Sequence, residues 1–173
     1  EHVAKTLLER IGVRTPPRRA CDTRAEAHAA LAELGGPVAV KLLDAAVLHK
    51  TEVGGVHLGI ADAAALDRAL DALGSRRYLV ERMADPGVDL VLGVRRDPVF
   101  GPVVLLGLGG TTAEAFADVA IRPAPLAATE AATMPADLAA HALLDGWRGG
   151  PVLATEELGA TAAALGALLV ANP

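Results

Sequence analysis

The chain has 173 residues, a formal net charge of −5 and a pI near 5.5. That length is one domain-sized unit able to bury a real core, and the acidic balance excludes a nucleic-acid surface and a basic membrane-binding face. Aromatic residues make up only 2%, so Ala, Leu and Val must build the core.

Val3, Leu7, Leu8 and Ile11 recur at helical spacing and predict a helix over Glu1–Ile11, stopped by Gly12. Pro16-Pro17 marks an extended connection. Asp22 or Thr23 can cap a second helix that ends near Leu34, before Gly35-Gly36. Val38–Leu43 reads as a buried strand, and Val56, Leu58 and Ile60 alternate as a second. Asp62 caps a third helix with Ala65, Leu66, Leu70 and Leu73 on one face and Gly74 at its end. Tyr78–Met83 is a strand and Asp85-Pro86-Gly87 a turn. Val88–Val94 alternates and is expected to pair with the strand before it. After a turn at Arg96-Asp97-Pro98, Val103–Leu108 reads as a buried strand opening into Gly107-Leu108-Gly109-Gly110. Ala117–Ile121 fits either a strand or a helix end. From Leu126 the chain is helical and Ala-rich, interrupted by Pro135 and by Trp147–Pro151. Thr155 caps a last helix with Leu158, Ala162, Leu165 and Leu169 facing inward. Hairpins mixed with helices, without a strict βαβ alternation, predict an α+β fold with antiparallel sheets.

The stretch Lys41–Ile60, KLLDAAVLHKTEVGGVHLGI, concentrates reactive groups. A strand ends on Lys41, a polar turn carries His49, Lys50 and Glu52, and Gly54-Gly55 leads into the next strand. Glycine lets backbone amides approach an anion closely, and lysines supply charge. This is the pattern of a phosphate-handling hairpin; the plain alternative is a hairpin with an exposed loop. A lysine on a buried strand needs a partner, for which an ATP phosphate is suited, although its ammonium could instead snorkel to solvent.

That stretch, followed by GVDLVLGVRRDPVFGPVVLLGLGGTTAEAFADVAIRPAPL, resembles the ATP-grasp domain of the ADP-forming acyl-CoA synthetases (acetate–CoA ligases), which also occurs in multidomain bacterial protein acyltransferases. The resemblance covers nearly the whole chain. It implies two α+β lobes gripping a nucleotide, divided as residues 1–82 with the glycine loop and residues 83–173. The chain opens on Glu1 and stops after Leu168–Pro173 where a further element is expected, so the second lobe is expected to be incomplete at its C-terminus.

The resemblance also assigns roles. Lys41 takes the place of the lysine aimed at the nucleotide phosphates, with Lys50 as a further cation, and Gly54 and Gly55 form the phosphate-covering loop. His49 matches a histidine proposed to relay the phosphoryl group, for which a neutral imidazole is a feasible nucleophile; the alternative is a loop histidine that only orients its neighbours. Glu81, Arg82 and Met83 fall on the hinge that reads adenine and ribose. Asp89 stands where the family usually carries Glu and could orient Lys41. Gly109 and Gly110 form a second anion-binding nest, with Glu114 and Asp118 placed to orient a histidine or metal-bound water. A lysine usual before that Asp is Ala117 here. Arg122 suits a phosphate or an interdomain ion pair.

In the parent enzymes these parts serve the reaction acyl-CoA + ADP + phosphate ⇌ carboxylate + ATP + CoA, with phosphate passing through a phosphohistidine on a separate CoA-binding domain or subunit. ATP/ADP and Mg²⁺ are the implied cofactors. The Mg²⁺ ligands lie on later strands in the family, so no metal ligand is assigned and the isolated stretch is expected to be inactive. A rival reading is a ligand-sensing or oligomerisation module fused to an acetyltransferase. No run reaches the roughly 18–20 apolar residues of a membrane span, and no signal peptide is visible. The single Cys21 excludes an internal disulfide and a four-thiolate zinc site. One thiol fits a reducing cytoplasm. Neither nucleic acid nor membrane is an expected partner, and a homo-oligomeric parent is open.

Overall fold

The computed structural model describes residues 1–44, 47, 53–74, 77–110 and 118–172. They form two compact units, Glu1–Asp85 and Pro86–Pro173, so Met83–Asp85 belongs with the first.

The first unit holds helix α1 (His2–Arg10), strand β1 (Arg18–Cys21), helix α2 (Arg24–Leu34), strands β2 (Val38–Leu42) and β3 (Val56–Ile60), helix α3 (Ala63–Leu73) and strand β4 (Tyr78–Arg82). The helix starts are written locally. Thr23 and Glu26 close a reciprocal capping box on α2, and Asp62 accepts from the Ala65 amide at the start of α3. Gly74 ends α3 in the left-handed conformation.

The four strands make an antiparallel sheet in the order β1-β4-β2-β3. The expected hairpin forms, with Lys41 opposite Val56 and Val40 opposite His57. On one face Cys21, Val38, Val40, Tyr78 and Val80 pack with Ala27, Ala30, Leu66 and Leu70 of α2 and α3. Each fully buried Leu there contributes about 1.5–3 kcal/mol. Strand alternation therefore sends Arg18, Ala39, Lys41 and Glu81 to the opposite face.

The second unit begins with β5 (Leu90–Asp97), β6 (Gly101–Leu108) and β7 (Val119–Pro123), an antiparallel sheet in that order. β5 pairs with β6 along its whole length and not with β4, which corrects the expected pairing. β4 instead lies between β1 and β2 in its own sheet. The turn falls later than expected, because Arg96 and Asp97 are still in β5. The Asp97 carboxylate then accepts from the Val99 and Phe100 amides. The ambiguity at Ala117–Ile121 resolves for its described part, where β7 is a strand.

Val104, Leu106 and Ala120 face helix α4 (Ala128–Ala131), short 3₁₀ turns containing Met134 and Leu144, and helix α5 (Thr155–Ala171). On α5 the buried residues are Gly159, Ala162 and Gly166; of the expected inward set Ala162 is buried, Leu158 packs partly buried against the core, and Leu165 and Leu169 are half-buried. A Cβ at Gly159 would stand 2.3 Å from the Ala128 carbonyl oxygen, so α4 and α5 cross where only glycine fits. Thr155 lies inside α5 and does not cap it.

Candidate functional site

The outward face of the first sheet carries an ionic ladder. On α1, Glu1, Lys5 and Glu9 stand four residues apart and so share one side of the helix. Opposite them the sheet presents Lys41, Glu81 and Arg18, the complementary charges. Lys41 Nζ donates to Glu1 Oε1 and to Glu81 Oε1, each at 2.8 Å. Lys5 Nζ donates to Glu81 Oε2 and lies 3.2 Å from Glu1 Oε1. Arg18 reaches both oxygens of Glu9, at 2.5 and 3.1 Å, and both the Thr15 and Thr6 hydroxyls. Glu81 is 5% exposed and Arg18 8%, so these charges lie in the protein and depend on their partners. α1 buries no residue fully. The ladder is thus a main attachment of that helix.

The charges tune one another. Burial disfavours the ionised form of Glu1, but hydrogen bonds and charge from Lys41 and Lys5 outweigh it and hold the carboxyl down to about 2. Burial likewise disfavours the Lys41 ammonium, and the Glu1 and Glu81 carboxylates more than offset it, so Lys41 is raised above the ordinary lysine value. Hydrogen bonds from Arg18 and Thr15 hold the Glu9 carboxyl at about 2. Lys41 is therefore a fully charged cation on an inner strand.

Glu81, the residue expected at ribose or adenine, gives one carboxylate oxygen to Lys41 and the other to Lys5. Arg82 and Met83 are exposed, their amides donating to the Pro17 and Pro37 carbonyls. The Met83 sulfur accepts from the Gly59 amide. Gly54 is exposed with φ +69°, and the Gly55 carbonyl accepts from the Leu42 amide, closing the base of the hairpin. His49, Lys50 and Glu52 lie outside the described residues, as do Glu114 and Ala117.

In the second unit, Gly109 donates to the Asp89 carbonyl at 2.7 Å. A Cβ at Gly109 would sit 3.1 Å from the Asp89 and Leu90 backbone, so glycine permits the approach. Gly110 has φ +73° and faces the Asp89 carboxylate. Asp118 was expected to orient a histidine or metal water. Its two oxygens accept from the Ala139 and Ala140 amides, each at 2.9 Å. Arg122, expected on a phosphate or an interdomain pair, bonds Asp137 within its own unit. Sequence reasoning missed Glu1, Lys5, Glu9 and Arg18 altogether, although the i, i+4, i+8 charge alternation was available as a signal.

Among the described residues, no three His, Cys, Asp or Glu side chains converge to hold a metal ion. Mg²⁺ at a nucleotide needs only one or two protein carboxylates beside the phosphates, and what the ladder itself offers is fixed cations for an anion.

Two antiparallel α+β units, the first presenting a charged inner-strand lysine beside a glycine hairpin, define a nucleotide-grasping class of domain. The chain belongs to the ATP-grasp domain family, which matches residues 1–173 throughout. It is 32% identical to a trans-feruloyl-CoA synthase from an unknown prokaryotic organism, over all of this chain and 26% of that protein. It is 31% identical to the beta subunit of an ADP-forming acetate–CoA ligase I of Pyrococcus furiosus, over 86% of this chain and 69% of the subunit. The dinucleotide-forming acetyl-coenzyme A synthetase 1 of Ca. Korarchaeum cryptofilum, solved with coenzyme A and Ca-AMPCP, superposes with a TM-score of 0.93 at 33% identity. That match covers 99% of this chain and 80% of the solved one. A second structure of that synthetase, with coenzyme A and Mg-AMPPCP, has its phosphohistidine segment pointing towards the nucleotide-binding site; it superposes at 0.87 with 35% identity, over 99% of this chain and 78% of that one. The chain thus spans about a quarter of the synthase's length and most of the smaller beta subunit's.

Proposed function

We propose that this chain is the nucleotide-binding part of an ADP-forming acyl-CoA synthetase, and that its first unit receives the phosphates of ADP or ATP at Lys41. The observation that carries the reading is the Lys41 ammonium, held charged on an inner strand by two carboxylates in a domain of the ATP-grasp family. The similar synthetase that holds AMPCP or AMPPCP supports it. The parent would run acyl-CoA + ADP + phosphate ⇌ carboxylate + ATP + CoA. In the step assigned here, the P–N bond of a phosphohistidine breaks as a terminal oxygen of ADP bonds to phosphorus, and the imidazole is released. Little covalent chemistry is asked of the protein; positioning and fixed positive charge do the catalysis. Mg²⁺ would accompany the nucleotide with ligands supplied from elsewhere.

The phosphohistidine would come from a CoA-binding domain or subunit, and a homo-oligomeric parent fits the same scheme. By sequence position His49 would act as a relay, its imidazole taking the phosphoryl group as the first P–N bond breaks and yielding it to ADP as its own P–N bond breaks, with Lys50, Gly54 and Gly55 closing on the phosphates and Gly109 and Gly110 offering further amides. Among the described residues no helix is long and apolar enough to cross a membrane. Together with the single, buried Cys21 thiol, that fits a cytoplasmic enzyme.

The test is calorimetric titration of the chain with ADP and ATP in Mg²⁺. Lys41→Ala should weaken binding at least about tenfold, the equivalent of one charge-assisted contact to phosphate. An unchanged affinity would remove Lys41 from the site.

A further inference from the structure

One oxygen, Glu1 Oε1, lies between two ammonium groups, 2.8 Å from Lys41 Nζ and 3.2 Å from Lys5 Nζ. Behind the same two lysines stands Glu81, giving Oε1 to Lys41 and Oε2 to Lys5. The two carboxylates are not equivalent. Glu81 is fixed on β4 between β1 and β2, and is buried. Glu1 stands at the head of a helix without fully buried side chains, its own side chain 25% exposed against 7% for Glu81. It also borders a cavity of about 220 Å³ shared with His2, Ala20, Leu43, Asp44 and Arg77, so its side chain has room to swing aside. Four charges of alternating sign therefore comprise a rigid counter-ion, two cations it spaces apart, and an exchangeable anion in front.

We propose that Lys5 and Lys41 form a two-lysine oxyanion cradle, in which Glu1 Oε1 holds the place that a nucleotide phosphoryl oxygen takes over. The inference rests on the nucleotide reading above and adds Lys5 as a second phosphate-binding residue and Glu1 as the internal competitor. Exchange is isoelectric to first order: one carboxylate leaves the lysines and an anionic oxygen arrives, while Glu81 keeps both ammonium groups aimed. Without Glu81 the lysines would repel each other and the slot would widen. A phosphoryl group supplies more than one oxygen and more negative charge than a carboxylate, which favours the exchange.

The sequence has three lysines, Lys5, Lys41 and Lys50, so acylation can be followed residue by residue. The wild-type chain is treated with an N-hydroxysuccinimide ester with and without Mg-ADP, and each site is quantified by peptide mass spectrometry. Joint protection of Lys5 and Lys41 is the expected result. Protection of Lys41 with Lys5 unchanged or more reactive would overturn the cradle while leaving the nucleotide reading intact. Absence of both protection and calorimetric binding would overturn the two together. Affinities give an independent arm: Glu1→Gln should tighten ADP about three- to tenfold by removing the competitor, and Lys5→Gln should weaken it about tenfold, with Lys5→Arg recovering most of the loss. A Glu1→Gln chain that folds yet binds ADP no tighter than wild type would remove Glu1 as the placeholder.

Discussion

Glu81→Gln tests the ladder at its most buried member. The substitution keeps the shape of the side chain and removes its charge. In the wild type Glu81 Oε1 accepts from Lys41 and Oε2 from Lys5. Glutamine can accept from one lysine, but its amide then turns two N–H donors towards the other ammonium. One hydrogen bond to a charged group is lost outright, about 1.5–3 kcal/mol. Breaking a buried pair entirely costs about 3–5 kcal/mol, and Glu1 still serves both lysines, so the expected loss is about 2–4 kcal/mol. For a unit of this size each kcal/mol is about 4–8 °C in midpoint, so melting should fall by at least about 8 °C. The only tyrosine, Tyr78, is buried in the first core and the only tryptophan, Trp147, lies in the second unit. Tyrosine second-derivative absorbance therefore follows the first unit and tryptophan fluorescence the second. The tyrosine transition should move and the tryptophan transition stay. Because buried pairs are screened little, the shift should persist in high salt. A tyrosine midpoint within about 1 °C of wild type, well under the shift of a single kcal/mol, would refute the claim that Glu81 holds the two lysines.

Two further expectations concern neighbouring groups. Asp118→Ala leaves the Ala139 and Ala140 amides without their carboxylate; the tryptophan-reported unit should lose about 2–3 kcal/mol in urea unfolding, whereas an effect on phosphoryl transfer with no stability loss would restore Asp118 to the chemistry. In acid, the folded-state carboxyls of Glu1 and Glu9 lie near 2 against an ordinary 4.5, so their contribution is complete above about 4.5 and disappears as pH falls towards 2. The tyrosine midpoint should drop across that window and flatten in Glu9→Gln, and an equally steep profile in that variant would exclude Glu9 as a source.

Much of the fold is written locally. The capping box at Thr23 and Glu26, the Asp62 cap and Gly74 each act within a few residues, so the sequence alone determined where α2 and α3 lie; β3 lies where expected, but a register shift opposite Val38–Val40 breaks the alternation of Val56, Leu58 and Ile60 and leaves Leu58 62% exposed. The pairing of β2 with β3 was equally legible, because a glycine pair leading into a second apolar run is a local pattern. The partners of β4 were not. Its alternation is the same whether it pairs with its successor or with two distant strands, and long-range burial decides between them. The stripe on α5 holds at Ala162 and in part at Leu158, but the buried glycines were not legible: Gly159 is selected by close approach to α4 and Gly166 by Val104, Leu126 and Ala124, contacts that no local pattern announces.

The candidate site divides in the same way. Lys41 could be named from the sequence, as could the need of a buried cation for a partner. Which groups would meet that need depended on α1 lying across the outward sheet face, where Glu1, Lys5 and Glu9 oppose Lys41, Glu81 and Arg18. Charge alternation along a helix is compatible with a solvated face. Only the tertiary structure, by desolvating Glu81 and Arg18 and bringing residues some 40 and 76 positions apart within hydrogen-bond reach, turned it into a ladder.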